Sequence, residues 1–435
     1  MKIGFLSLPL SGHLNPMTSL ARKLQSRGND VVFLGVPDVE PFARAAGLEF
    51  VSYGEREYPT GSIARIWSRV AKLHGKEVLR YTLRELSPGL VKAALEHLPE
   101  TIAETGIETL VIDKIYFFVE LVAMHLGIPF VHVWNVLNLD MSGSTPACSF
   151  SWPHETTPEA LARNLEGVVE VGSYFGPLVE AVQPYAEKLG IEVDWNDPND
   201  TLSRLAVVSQ IPREFDYPGI PWPAQFHYTG PFHDGEGREP VPFPWEKLTG
   251  RRLIYASLGT LVNGLEHVYR TILEAVAPLS GVQVVLSVGR NVDLDKIGPV
   301  PSNTIVVRSA PQVELLKRAA LCITHAGLNT ALEALAQGVP MVAIPISYDQ
   351  PGVAARIAYH GAGEFIELEE LSTQRLSQVI QKVRMNPTYR EKARYFQKVI
   401  TDARGLDAAS EAIERAFGIT PVADSAGEEA ELSHA

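Results

Sequence analysis

The sequence predicts an α/β protein built from two Rossmann-like domains in series. Three observations carry that expectation: short apolar runs alternate with helical patterns in both halves, 435 residues suit two or three domains of ordinary size, and a proline- and glycine-rich stretch divides the halves. In the first half the apolar runs fall at residues 3–8, 31–35, 49–51, 110–113 and 130–133, with helical patterns between most of them, notably 15–26 and 117–125. In the second they fall at 253–257, 282–288, 304–307, 321–324 and 341–344, again separated by helices. Short buried strands alternating with helices form parallel sheets covered on both faces.

The expected organisation is a first domain over 1–211, a linker over 212–244, a second domain over 245–388, helices within 389–417 placed to pack back on the first domain, and an acidic tail without stable structure over 418–435. The linker reading rests on runs such as Tyr217-Pro218-Gly219-Ile220-Pro221-Trp222-Pro223, which fit neither helix nor strand. A net charge of −13 argues against a nucleic-acid partner, since phosphate backbones are bound by clustered Lys and Arg. The two cysteines, Cys148 and Cys322, read as reduced core residues and fit a cytoplasmic compartment. The apolar opening runs into Pro9, Ser11, Gly12 and His13 with no cleavage pattern, and no stretch approaches the roughly 20 apolar residues that cross a bilayer.

Chemistry concentrates between Ser309 and Gln350. A strand at 321–324 leads into His325-Ala326-Gly327-Leu328-Asn329-Thr330, a turn just before the helical pattern that contains Glu333. The first N–H groups of a helix lack intrahelical acceptors, and the macrodipole adds partial positive charge there, so such a start suits an anion. Gly327 admits a phosphate to the backbone, His325, Asn329 and Thr330 add side-chain donors, and Glu333 can accept from ribose hydroxyls. Asp349 and Gln350 close the segment with side chains suited to sugar hydroxyls. Together these residues describe a nucleotide-sugar site.

A second constellation follows the first strand: Ser11-Gly12-His13-Leu14-Asn15-Pro16, with Pro16 read as the start of a helix. Ligands of doubly wound sheets bind at the carboxyl ends of strands, which is where His13 falls. Asp113, ending another strand, is placed to accept the second N–H of a histidine ring. Ser257-Leu258-Gly259-Thr260, after the first strand of the second half, forms a third polar strand end.

The whole pattern resembles inverting glycosyltransferases of the GT-B type, the family of plant secondary-product, macrolide and zeaxanthin glycosyltransferases. Matching positions are Pro311, Gln312, Thr324, His325, Gly327, Asn329, Glu333, Gly338, Val339, Pro340, Pro345, Asp349 and Gln350, and the likeness runs over residues 1–417. Two positions depart from the plant form: Ser309 and Leu328 stand where plant members carry tryptophan, which leaves uridine and thymidine diphosphate both open as donor nucleotides. The resemblance implies that the two domains face each other across a cleft, with His13 as general base and Asp113 as its partner. It also implies that Gly12, Thr260, Ser309 and Gln312 join the donor residues named above. The implied activity moves a hexose, glucose first among the choices, from a UDP-sugar to a hydroxyl of a hydrophobic small molecule: a phenolic, polyketide, sterol or carotenoid. Tyr58, Trp67, Tyr81, Trp134, Phe150, Trp152, Tyr174 and Phe175 suit such an acceptor, or else pack the core.

No metal or other cofactor is expected. Asp293-Leu294-Asp295 has the spacing of a metal site but reads as a solvated loop. Two rival functions remain, a nucleotide-sugar epimerase on the same plan and a non-catalytic nucleotide-sugar-binding protein; the second has no need of His13 with Asp113. Residues 63–83 combine helical apolar spacing with Arg65, Arg69, Lys72, Lys76 and Arg80. That stretch either packs its apolar stripe inward or makes a weak peripheral contact with an anionic membrane.

Overall fold

The computed structural model describes residues 1–420 except Pro198 and Glu239; from Pro421 onward the expected acidic tail lies outside the described residues. Two parallel sheets organise the chain. The first takes the order β3-β2-β1-β4-β5-β6-β7, from β1 (Lys2–Leu6), β2 (Asp30–Gly35), β3 (Glu49–Ser52), β4 (Thr109–Asp113), β5 (Phe130–Trp134), β6 (Val207–Ser209) and β7 (Phe226–Tyr228). The second takes the order β10-β9-β8-β11-β12-β13, from β8 (Arg252–Ser257), β9 (Val282–Ser287), β10 (Thr304–Val307), β11 (Ala319–Thr324), β12 (Met341–Ala343) and β13 (Gly363–Phe365). The two-sheet α/β fold expected from the sequence is therefore the fold observed.

The strand orders place the functional loops. β1 pairs with β2 on one side and β4 on the other, and β8 pairs with β9 and β11. At each of these points the direction of winding reverses, and the crevice beyond the strands' carboxyl ends is open to a ligand. The loops after β1 and β4 carry His13 and Asp113; the loops after β8 and β11 carry Ser257–Thr260 and His325–Thr330. The central strands are apolar on both faces because helices cover both: every residue of β4 and β9 is buried.

Several local features differ from the sequence reading. The first helix spans Ser11–Ser26, so Pro16 lies inside it rather than at its start. β7 falls within the stretch read as a linker and completes the first sheet. Of the two C-terminal helices, Pro387–Ala403 lies along Leu328–Ala336, while Gly405–Ala416 packs on Ser11–Ser26, where Arg27 pairs with Glu414 at 2.6 Å. Residues 63–83 are not one helix but Ser62–Trp67, a short 3-10 turn and Lys76–Tyr81. Gly75, with φ of 60°, separates the pieces. Ile63, Trp67, Val70 and Val78 turn inward, Lys76 pairs with Glu170 at 2.8 Å, and Arg80 lies over the Tyr174 ring. The apolar face that a bilayer would bury is already covered by protein. Among the described residues no helix is long and apolar enough to cross a membrane.

The two sheets' units are also joined away from the cleft, by a buried ion pair. Arg356 Nη2 lies 2.7 Å from Asp216 Oδ1, with the side chains 3% and 1% exposed, and Tyr228 donates to the other carboxylate oxygen at 2.9 Å. Removing one partner of such a pair strands the other charge away from water. Asp216→Ala is expected to cost about 3–5 kcal/mol of stability, measured by urea denaturation; a loss near zero would show that water reaches Arg356 freely.

Candidate active site

His13 sits in the first turn of helix Ser11–Ser26, and its Nδ1 lies 2.9 Å from Asp113 Oδ2. Asp113 is fully buried and takes further hydrogen bonds from the Leu8 N–H at 3.1 Å and the Ile115 N–H at 3.0 Å. Burial alone lowers the pKa of the His13 imidazole. The charge and hydrogen bond of Asp113, helped by Asp349 and Asn135, outweigh that, and the result lies above the ordinary value. Burial likewise raises Asp113, but His13 and the two N–H groups hold it below the usual carboxylate range. The dyad is thus a stabilised ion pair when His13 is protonated.

Pro16 has a consequence for the same turn. In a regular helix the N–H of residue 16 would donate to the carbonyl of Gly12; proline has no N–H, so that carbonyl is left free. It accepts instead from Asn329 Nδ2 at 2.6 Å, a bond from the first half of the chain to the second. Gln210, just beyond β6, donates to Asn329 Oδ1 at 2.9 Å. Next to these, Ser11 Oγ and Thr260 Oγ1 lie 2.9 Å apart.

On the second side, β11 ends at Thr324 and helix Leu328–Ala336 begins with no side-chain cap, which leaves its first N–H groups for a ligand. The turn between them holds Ala326 at φ of 63°, a left-handed conformation that tightens the approach. His325 fits between two glycines: a Cβ on either Gly259 or Gly327 would lie 2.5 Å from its Nε2. Burial pushes the His325 pKa down to about 4, with a backbone contact at Ser257 opposing. At neutral pH it is therefore an uncharged donor.

Gln312 links others of the residues that the sequence reading expects to hold the donor. Its Oε1 accepts from the Tyr255 hydroxyl at 3.1 Å, and its Nε2 donates to Glu333 Oε2 at 2.7 Å and approaches Thr330 Oγ1 at 3.3 Å. Asp349 Oδ2 accepts from the Leu137 N–H at 2.9 Å, so this carboxylate also faces the first half. Gln350 is turned under its own loop: Oε1 accepts from the N–H groups of Ile346 at 2.9 Å and Ser347 at 3.0 Å. Ser309 is exposed and makes no side-chain hydrogen bond among the described residues. Asp293 caps a turn through the Asp295 N–H at 3.2 Å and pairs with Lys296 at 3.1 Å, as a solvated loop residue does.

The structure therefore gathers His13, Asp113, Gly12, Thr260, Asn329 and Asp349 where the two carboxyl edges meet, with His325, Gly327, Thr330, Gln312 and Glu333 behind them. It adds four residues that the sequence reading did not name as site residues: Ser11, Asn135, Gln210 and Arg238. Ser11 lay inside a motif already singled out; the others carry no local signal. A concavity of about 680 Å³ opens elsewhere, lined by Tyr217, Trp222, Tyr228, Tyr359 and Tyr395. The chemistry-bearing residues lie instead in a cleft closed by the hydrogen bonds above. Of the aromatic residues suited to an acceptor, Phe150, Trp152 and Phe175 share an apolar cluster with Leu79 and Met141. Trp134 belongs to a different one, with Leu202 and Val207.

Comparison with known proteins agrees with the fold. The family model described as UDP-glucoronosyl and UDP-glucosyl transferase matches residues 215–414. Zeaxanthin glucosyltransferase of Pantoea ananas is 26% identical over 408 residues, 94% of each chain. The uncharacterized UDP-glucosyltransferase YojK of Bacillus subtilis is 26% identical, over 95% of this chain and 96% of its own. Among solved structures, the glycotransferase of kitacinnamycin superposes with a TM-score of 0.72 at 24% identity, covering 95% of this chain and 98% of that one; at that identity the likeness speaks for the fold. The match to that family model over residues 215–414 and the near full-length likeness to glucosyltransferases mark the chain as a glycosyltransferase.

Proposed function

We propose that the protein transfers a hexose, glucose in the first instance, from UDP to a hydroxyl of a hydrophobic small molecule with inversion at the anomeric carbon. The observation that carries this reading is the His13–Asp113 dyad at 2.9 Å, held opposite the N-terminus of helix Leu328–Ala336 by the Asn329–Gly12 bond. With Nδ1 donating to Asp113, Nε2 of His13 presents a lone pair. It takes the acceptor's hydroxyl proton as that oxygen bonds the anomeric carbon and the diphosphate leaves from the opposite face. The developing negative charge falls on the helix N-terminus, with Thr260 and the neutral imidazole of His325 as further donors. Glu333 and Gln312 take the ribose, and Asp349 takes the sugar. The apolar cluster of Phe150, Trp152, Phe175, Leu79 and Met141 is the wall we assign to the acceptor. The name of the zeaxanthin glucosyltransferase, which points to a carotenoid substrate for that relative, supports an apolar acceptor. Free thiols at Cys148 and Cys322 suit a reducing compartment, the cytoplasm in this reading.

Three outcomes test the mechanism. His13→Ala is expected to lower turnover on an unactivated alcohol by about 10²–10⁴-fold, the usual worth of a general base, with UDP affinity nearly unchanged by calorimetry. Retention of most activity would remove His13 from the role, and isomerised nucleotide sugar formed without acceptor would favour an epimerase instead. The pH profile supplies an independent check. A base must be neutral to act, and the His13 pKa lies above its ordinary value of about 6.5. The kcat/KM for such an acceptor therefore rises with pH through a midpoint above 6.5. Asp113→Asn leaves only Asp349 and Asn135 to oppose the lowering effect of burial and moves that midpoint down; an unmoved midpoint would contradict the dyad. Because protein groups hold the diphosphate in this scheme, activity is expected to survive excess EDTA, and loss restored by Mg²⁺ or Mn²⁺ would overturn that part.

A further inference from the structure

Glu333, the carboxylate assigned above to the ribose, is 3% exposed and has a partner on each oxygen. Gln312 Nε2 holds Oε2 at 2.7 Å, and Arg238 Nη2 holds Oε1 at 2.5 Å. Gln312 belongs to the second sheet's own unit. Arg238 does not: it lies in the connection between β7 and β8, ninety-five residues earlier in the chain. That connection is fastened to the other unit, because Arg22, on helix Ser11–Ser26, donates to Glu236 at 2.6 Å and also to Asp234. The path is close at Gly237 as well, where a Cβ would lie 3.3 Å from Arg22 Nε and 3.6 Å from the Ala46 Cα.

We infer that Arg238 is a positioning residue for the donor nucleotide, aiming Glu333 at the ribose hydroxyls. The inference rests on the reading that helix Leu328–Ala336 holds the nucleotide. A carboxylate has about four acceptor sites, and Arg238 with Gln312 occupies two of them, so two remain for a vicinal diol. Truncating Arg238 would leave a buried carboxylate held only by the neutral amide of Gln312, with one oxygen unheld and its charge uncompensated. A second observation on the same connection points to a ligand there: His233 Nε2 is buried and has no hydrogen-bond partner among the described residues. Glu333 and Arg238 are near enough to act on the charge of that ring. The nucleoside end of the donor site is thus completed from the interdomain connection, and not from the second sheet alone.

Calorimetric titration with UDP and with 2′-deoxy-UDP tests this, because the two ligands share a base and a diphosphate and differ in one hydroxyl. The wild type is expected to prefer UDP by about tenfold or more, the worth of a hydrogen bond to a charged group. Arg238→Ala is expected to weaken UDP by about tenfold and 2′-deoxy-UDP far less, so that the preference collapses; Arg238→Lys, which keeps the charge but not the planar fork, falls between. Equal weakening of both ligands would mark Arg238 as merely structural, and tighter UDP binding would mark it as a plug; either result overturns the inference. Should Arg238→Ala not fold, a wild-type preference in Arg238→Lys overturns it in the same way. Glu333→Gln separates the underlying reading: if that change leaves UDP affinity untouched, the ribose is not held there at all.

Discussion

Asp113 imposes the constraint on which the first half of the site depends. A carboxylate with no access to water is tolerated only when its oxygens are paired, and Asp113 meets that condition with backbone N–H groups from two different loops and one imidazole. Leu8 lies just past β1 and Ile115 just past β4, so the pairing fixes the two strand ends relative to each other. His13 then has one place to go. Its orientation follows from the need to satisfy Asp113, which is why a residue on the first turn of a surface helix is held as firmly as a core side chain. The chemistry of the dyad and the stability of the switch point rest on the same group.

Closure of the cleft follows a similar logic at lower energy. Asn329 pairs with Gly12 and Gln210, Thr260 with Ser11, and Asp349 with Leu137. Asn329, Gly12, Thr260 and Asp349 are also assigned to the donor, so groups that would hold substrate are engaged across the cleft when it is shut. Exchanging one neutral hydrogen bond for another changes stability by only about 0.5–1.5 kcal/mol. Opening along that seam therefore demands little. The Arg356–Asp216 pair lies apart from it and holds the two units together while the cleft exchanges its partners. Pro16 makes the arrangement possible, because it frees the one helix carbonyl that faces Asn329.

What was legible in the sequence was local. The turn from β11 into helix Leu328–Ala336 is contiguous, and its glycine, small polar residues and helical pattern state their geometry within a dozen positions. The alternation of strands and helices was readable for the same reason, since five of the six second-sheet strands are strongly apolar. β6, β7 and β13 escaped as strands of only three residues; the equally short β12 was read because its apolar run continues to Ile344, and β7 lies among prolines. Gln210 and Arg238 escaped for a different reason. Nothing in their neighbourhood marks them, and they reach the site only through the path of the chain, Gln210 just after β6 and Arg238 between the sheets. Residues 63–83 misled through spacing: the apolar positions do turn inward, but Gly75 at positive φ breaks the run that the pattern suggested.

The two histidines nearest the proposed chemistry show how one force yields two roles. Burial lowers the pKa of both. His13 also faces Asp113 and ends above its ordinary value, while His325 faces two glycines and ends near 4. Environments that push titratable groups apart in this way assign them different duties. In the scheme proposed here His13 gains a proton during the reaction, and Asp113 stabilises the cation that forms. His325 begins neutral and meets its first strong counter-charge only when a diphosphate arrives. That charge acts on His325 as Asp113 acts on His13, raising its proton affinity as negative charge grows on the leaving oxygens. Its interaction is therefore stronger with the departing diphosphate than with the intact donor, and only an interaction of that kind accelerates the step.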